Sequence, residues 1–312
     1  MQVFLQQLIN GLHLGATYAL IALGYTMVYG VLRLINFAHG DIFMLGAYAG
    51  LFAAVILGVT QSASWGAVFP VILMAMAICA VVGMAIERFA YRKLRTAPRL
   101  NALITAIGVS LFLEYGGQLP PMIRIDGFDF PFGAQTKTFP TGILPPTQIT
   151  TGTGLSLSAV QVLTFVVTLV LMVGLNAIVR RTRIGVAMRA VSADREAAAL
   201  MGIPTDRVIL FTFALGSALA AAAGVLYALD KPTIDPLMGL YVGLKAFVAA
   251  VLGGIGSIPG AMLGGFVLGL TETFVAGYLA SSWRDAIAFG ILILILIVRP
   301  TGILGSSVRE KV

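Results

Sequence analysis

The sequence predicts an all-α polytopic membrane protein of about 8–10 transmembrane helices, with discontinuous helices and internal pseudo-symmetry. Three observations carry that expectation. Of 312 residues, 59% are hydrophobic and 11% charged, with a mean hydropathy of +0.97; soluble domains carry about a quarter charged residues. The apolar residues fall in runs near the roughly 20 residues that cross about 30 Å of hydrocarbon. The basic residues crowd into two of the gaps between runs. Residues 1–312 therefore read as a single transmembrane unit, with no gap large enough for a catalytic or cofactor domain.

In chain order the runs lie at 5–32, 40–59, 67–86, 100–119, 159–179, 208–229, 238–253, 259–279 and 283–298. The first is no cleavable leader, because it lacks a basic start, is too long and has no A-x-A site behind it. Only 120–158, rich in Pro, Thr and Gly, forms a long polar interruption. Residues 87–99 hold five basic residues against one acidic. Residues 180–207 hold six arginines (Arg180, Arg181, Arg183, Arg189, Arg195, Arg207) against Asp194, Glu196 and Asp206. These segments contain 11 of the 20 Lys and Arg. In 120–158, Arg124 and Lys137 are balanced by Asp126 and Asp129. Positive loops stay inside, so 87–99 and 180–207 are cytoplasmic and 120–158 is periplasmic. The two intervening spans satisfy the parity. Continued alternation puts Arg33, Arg299, Arg309 and Lys311 inside and the N-terminus outside. The net charge of +7 is a topology signal rather than a nucleic-acid patch.

Composition and missing motifs exclude other classes. Cys79 is the only cysteine, so a disulfide scaffold is out, and one Cys with His13 and His39 makes no zinc site. No phosphate-binding G-x-x-x-x-G-K-[ST], H-E-x-x-H or nucleophile elbow is present. The chain therefore reads as no enzyme, with no cofactor of its own. No potassium-type filter or arginine-rich voltage sensor appears.

Glycines concentrate in the runs and fit close helix packing: Gly11 with Gly15, and Gly256, Gly260 and Gly264 in two overlapping G-x-x-x-G units. Two breaks interrupt apolar sequence. One is Asn36-Phe37-Ala38-His39-Gly40-Asp41. The other contains Gly253, Gly254, Gly256, Pro259 and Gly260. Paired breaks mark either a substrate path between repeats or ordinary turns at the membrane surface. Ionisable residues inside runs are Glu114, Lys245, Glu272 and, at an edge, Asp41. Such residues face a bundle interior or pathway, though Lys245 and Glu272 equally suit a structural pair, and Lys245 can snorkel. The candidate path residues are Asn36, His39, Asp41, Lys245 and Glu272.

Residues 180–207 predict a short cytoplasmic helix. Ser192 is its expected cap, the helix starts near Ala193 with Asp194 and Glu196 in the first turn, and Gly202 closes it before Pro204. Its Ala-Ala-Ala-Leu-Met surface suits either docking into a partner's groove or lying on the bilayer.

At this point the residues resemble a known family. Glu196-Ala197-Ala198 followed by Gly202 resembles the E-A-A-x-x-x-G core of the loop by which ABC importer permeases grip their ATPase subunits. The longer form ends in an Ile-x-Leu-Pro that is missing here. Gly24-Tyr25-Thr26-Met27-Val28-Tyr29-Gly30, Asn36–Asp41, Gly243-Leu244-Lys245-Ala246-Phe247 and Pro300-Thr301-Gly302-Ile303-Leu304-Gly305 resemble the permeases of high-affinity branched-chain amino acid importers, over essentially the whole chain.

The resemblance implies a bacterial inner-membrane subunit with a second homologous permease, two cytoplasmic ATPases that bind the ATP, and a periplasmic binding protein delivering leucine, isoleucine or valine. Relatives that carry urea, amides or other amino acids leave the substrate open. The coupling segment it implies is Arg195, Glu196, Ala197, Ala198, Ala199, Leu200, Met201 and Gly202. An ATP-independent channel or secondary transporter remains the rival, and it would leave that segment without a purpose.

Overall fold

The computed structural model describes residues 1–33, 36–95, 97–125, 128–150 and 154–305. Asp126, Arg309 and Lys311, counted above for topology, lie outside the described residues. The chain forms α1 (Gln2–Leu32), α2 (His39–Ile56), α3 (Trp65–Ile86), α4 (Arg99–Gly117), α5 (Ala159–Arg181), α6 (Arg183–Ala193), α7 (Arg195–Leu200), α8 (Thr205–Asp230), α9 (Met238–Gly253), α10 (Ile258–Tyr278) and α11 (Arg284–Val298). Among the described residues, eight helical segments are long and apolar enough to cross a membrane, and α9 is a shorter apolar helix of 16 residues. Each of the nine apolar runs corresponds to one helix.

Two ends of the bundle are defined by contacts between loops. At one end the Ser192 hydroxyl donates to the Gly30 carbonyl and Arg92 and Arg95 pair with Asp206. The tail also returns there, with Ile303 and Leu304 N–H groups bonded to the carbonyls of Leu252 and Gly253. Both basic segments meet here, and the excess of positive charge makes this the cytoplasmic end. At the other end the described residues of the long polar segment contribute short strands. Three short antiparallel pairs form: 123–125 with 128–130, 148–150 with 156–158, and 137–138 with 233–234. Backbone groups that leave a helix end still need partners, and these ladders supply them.

α1 is the axis of the bundle. Along one side Gly11 and Gly15 lie against the Cα atoms of Leu270 and Phe266, and Gly265 and Gly269 of α10 lie against Ala19 and Gly15. A Cβ at any of these would overlap backbone. Across α1, Gly24 faces the Gly216 carbonyl of α8 and the His39 ring. α2 and α8 repeat the device at Gly46 against Ala221 and Gly224 against the Phe43 carbonyl. In lipid, where apolar burial gives helices no reason to associate, close backbone contact supplies dispersion that larger side chains would prevent. By contrast α3, α4, α5 and α11 keep most of their outer surface exposed.

The second break departs from the paired arrangement. Residues 254–257 are a helix-to-helix turn: Gly254 and Gly256 have φ of +104° and +95°, and the Ser257 hydroxyl accepts the Gly260 N–H at 3.2 Å to cap α10, with Pro259 in the first turn. The Gly256–Gly260–Gly264 row is correspondingly split, with Gly256 in the turn and Gly260 and Gly264 packed on α9. The break that meets the first one precedes α9 instead. Gly40, one residue into α2, lies against Gly239 and Gly243 at the start of α9.

Gly269→Ala is expected to lower stability by about 1–3 kcal/mol through overpacking against α1. Gly108→Ala, on an open face of α4, is expected to be neutral or to stabilise by up to about 1 kcal/mol from helix propensity. Thermal unfolding of both variants in detergent checks the contrast.

Candidate functional site: the cytoplasmic helix and the start of α2

The Thr182 hydroxyl accepts the Gly185 N–H at 3.1 Å and so starts α6. Asp194, extended at φ −153°, ends α6 and opens α7, its Oδ1 accepting the Ala197 N–H at 2.9 Å. The cap is thus Asp194 rather than Ser192, and the helix starts at Arg195. A carboxylate at a helix N-terminus gains from both the free N–H groups and the dipole, while Ser192 is occupied by the Gly30 carbonyl. Gly202 closes the helix at φ +82°, with the Ile203 N–H reaching back to the Ala198 carbonyl, as a left-handed glycine cap requires. Ala198 is buried and Arg195 half-buried, whereas Glu196, Ala197, Ala199, Leu200, Met201 and Gly202 are exposed. Leu200 and Met201 are 88% and 83% exposed. The rest of the chain leaves these two large apolar side chains uncovered.

A cluster of charges ties this helix to α3. Four residues separate α7 from α8, and Asp206 lies in the first turn of α8. It accepts from Arg92 and, at 2.6 Å, from Arg95 Nη1, while Arg95 also pairs with Glu87. The Arg95 side chain is only 2% exposed. Burial lowers its pKa, Asp206 pushes it back up, and the nearby Arg195 charge lowers it again. Just before this cluster, the Tyr91 hydroxyl donates to Asn36 Oδ1 at 2.7 Å. The α1–α2 break is thereby fastened to the end of α3.

The five path candidates fall into two groups. Asn36, His39 and Asp41, each 1–3% exposed, sit at the start of α2. His39 stacks edge-on to Tyr25, 4.6 Å between centroids. Asp41 accepts from Ser110 of α4, and Glu114 lies one turn further along the same face of that helix. Ser110 was missed from sequence, and Glu114 was noted only as an intramembrane charge. Their i, i+4 spacing on an apolar helix was the available signal. In the second group Lys245 Nζ reaches Glu272 Oε2 at 3.2 Å and Asp285 Oδ1 at 2.7 Å, and Tyr18 donates to Glu272 at 3.0 Å. Lys245 therefore bridges α9, α10 and α11 rather than snorkelling. Among the described residues no hydrogen bond or ion pair joins the two groups.

Residues 7–296 match the family described as branched-chain amino acid transport system, permease component. The chain belongs to that family. It is 44% identical to the high-affinity branched-chain amino acid transport system permease protein BraD of Pseudomonas aeruginosa, over 99% of this chain and 98% of that one. Permease proteins LivH of Salmonella typhimurium and of Escherichia coli K12 match at 44% and 43% identity with the same coverage.

In this permease, Lys245→Met leaves Glu272 buried without its cation and is expected to cost about 3–5 kcal/mol. Lys245→Met combined with Glu272→Gln recovers much of that loss. Unfolding of the single and double variants in detergent measures both.

Proposed function

We propose that this permease is one of two homologous membrane subunits of a binding-protein-dependent ABC importer. It carries leucine, isoleucine and valine across the bacterial inner membrane into the cell. Two cytoplasmic ATPase subunits bind and hydrolyse the ATP, a periplasmic protein delivers the amino acid, and this chain performs no catalysis and binds no cofactor. Full-length similarity to permeases of that named transport class supports the substrate. The exposed α7, carrying the E-A-A-x-x-x-G residues on the cytoplasmic end, is the observation that carries the coupling role.

The geometry suggests how work on α7 reaches the membrane. A displacement of α7 passes through the four-residue link to the first turn of α8. Asp206 hands it to Arg92 and Arg95, and Tyr91 hands it to Asn36, between α1 and α2. Such junctions absorb backbone rotation in hinge motions. The start of α2, with His39 and Asp41, and the start of α9 packed on Gly40 would then shift together. Residues 120–158 at the opposite end lie where the binding protein would dock. Coupling must be reciprocal, so the loaded binding protein biases ATP hydrolysis as ATP biases the path.

Vesicles holding this permease, its partner permease and the ATPases test the reading with labelled leucine. Uptake is expected to require ATP on the ATPase side and binding protein on the other. Uptake without ATP would make the chain a channel or secondary carrier. Glu196→Arg, a reversed charge at a docking surface, is expected to cost about 2–5 kcal/mol in ATPase association. Uptake then collapses while the unfolding temperature is unchanged; normal ATP-driven uptake in that variant sinks the docking assignment.

A further inference from the structure

A cleft of about 260 Å³ opens at the cytoplasmic end, between the end of α1, the junction of α6 and α7, and the segment after α3. Arg33, Arg95 and Arg195 line it from these three elements, beside Val31, Leu32 and Val191, and among the described residues no carboxylate lines it. Arg33 is held in a left-handed backbone conformation at φ 54° as the C-cap of α1, and its Nη2 donates to the Ser192 carbonyl at 3.3 Å. Arg95 is fixed by Glu87 and Asp206, and its buried Nε has no hydrogen-bond partner. Arg195 opens α7. Neither Arg33 nor Arg195 forms an ion pair among the described residues.

The charge around the cleft does not close on itself. Glu87 and Asp206 neutralise Arg92 and Arg95, which leaves Arg33 and Arg195 uncompensated. The C-terminal ends of α1 and α6 offset about half a charge each. Guanidinium groups converge stably when a multiply charged oxygen acceptor sits between them, and a tetrahedral phosphate can accept paired N–H bonds from a planar guanidinium fork. The adjoining valines and leucine leave room for an apolar body beside the phosphate, which fits cytoplasmic-side basic pockets between membrane helices.

We infer that this cleft binds a phosphate group, carried either by an anionic phospholipid of the cytoplasmic leaflet or by a free phosphate. An occupant would join the end of α1 to the first residue of α7, and so hold the contact helix against the bundle. This inference does not depend on which amino acid is transported.

The purified full-length permease tests it in two arms. In the first, native mass spectrometry compares retention of phosphatidylglycerol with that of diacylglycerol bearing the same chains. In the second, thermal unfolding is followed in inorganic phosphate against chloride at matched ionic strength. The inference expects at least one arm to show binding, weakened about tenfold by Arg33→Gln or Arg195→Gln and unchanged by Arg207→Gln, an arginine at the same end but outside the cleft. Phosphatidylglycerol retention alone assigns a lipid headgroup, and protection by inorganic phosphate alone assigns the free ion. Should Arg33→Gln unfold, Arg195→Gln carries the comparison. Three results overturn the inference: binding in neither arm, binding indifferent to Arg33 and Arg195, or an equal loss in Arg207→Gln. Binding in neither arm together with loss of ATPase association in Arg33→Gln would assign the arginines to a partner's carboxylates instead.

Discussion

Backbone-to-backbone contact along α1 is the constraint on which the other features rest. Gly11 and Gly15 admit α10, Gly24 admits α8 and the His39 ring, and Gly265 and Gly269 answer from the opposite side. A membrane protein cannot assemble its helices by excluding water from between them, so the closeness of these contacts sets which helices form the core. α1 is packed in this way along most of its length and ends at Arg33, which takes a left-handed backbone conformation. The same tight contact at Gly40 against Gly239 and Gly243 joins the starts of α2 and α9, so neither helix can tilt without the other.

Polar side chains then act at the few places where the glycine-lined core leaves them room. The Lys245–Glu272–Asp285 group, with Tyr18, fastens α11, an otherwise largely exposed helix, to α9 and α10. The Ser110–Asp41 hydrogen bond fastens α4 to α2. The Arg92–Arg95–Asp206–Glu87 group fastens the end of α3 to α8 beside the contact helix. The first two are intramembrane and hold peripheral helices to the core. The third is at the polar end of the bundle, next to α7, where Leu200 and Met201 are exposed.

Much of this was legible in the residues. Hydropathy set the nine helices to within a few residues, because a membrane span is fixed by length and polarity alone. The charge asymmetry oriented them, and the pairing of Lys245 with Glu272 followed from both being ionisable on neighbouring spans. What the sequence did not disclose depended on tertiary partners. Ser192 looked like a cap until the Gly30 carbonyl claimed it, and Asp194 took the position. The sequence left the Gly254–Ser257 break open between a surface turn and a broken span, because glycine and proline read alike at a helix junction and at a mid-membrane break. Ser110 offered only its i, i+4 spacing to Glu114, and its partner Asp41 became visible once α4 lay on α2. The short ladders in 120–158 were hidden because two- and three-residue strands carry almost no periodicity.

In the proposed coupling, the contact helix and the α1–α2 break form one mechanical unit through Asp206, the arginines of the α3 end, and the Tyr91–Asn36 hydrogen bond. A double-mutant cycle measures it most directly, with Asp206→Asn and Tyr91→Phe made singly and together and leucine transported per ATP hydrolysed as the readout. Links in series predict that once one is cut, cutting the second changes little, so the combined loss falls well short of the sum of the two. Additive losses would contradict the account and show that α7 reaches the membrane by another route.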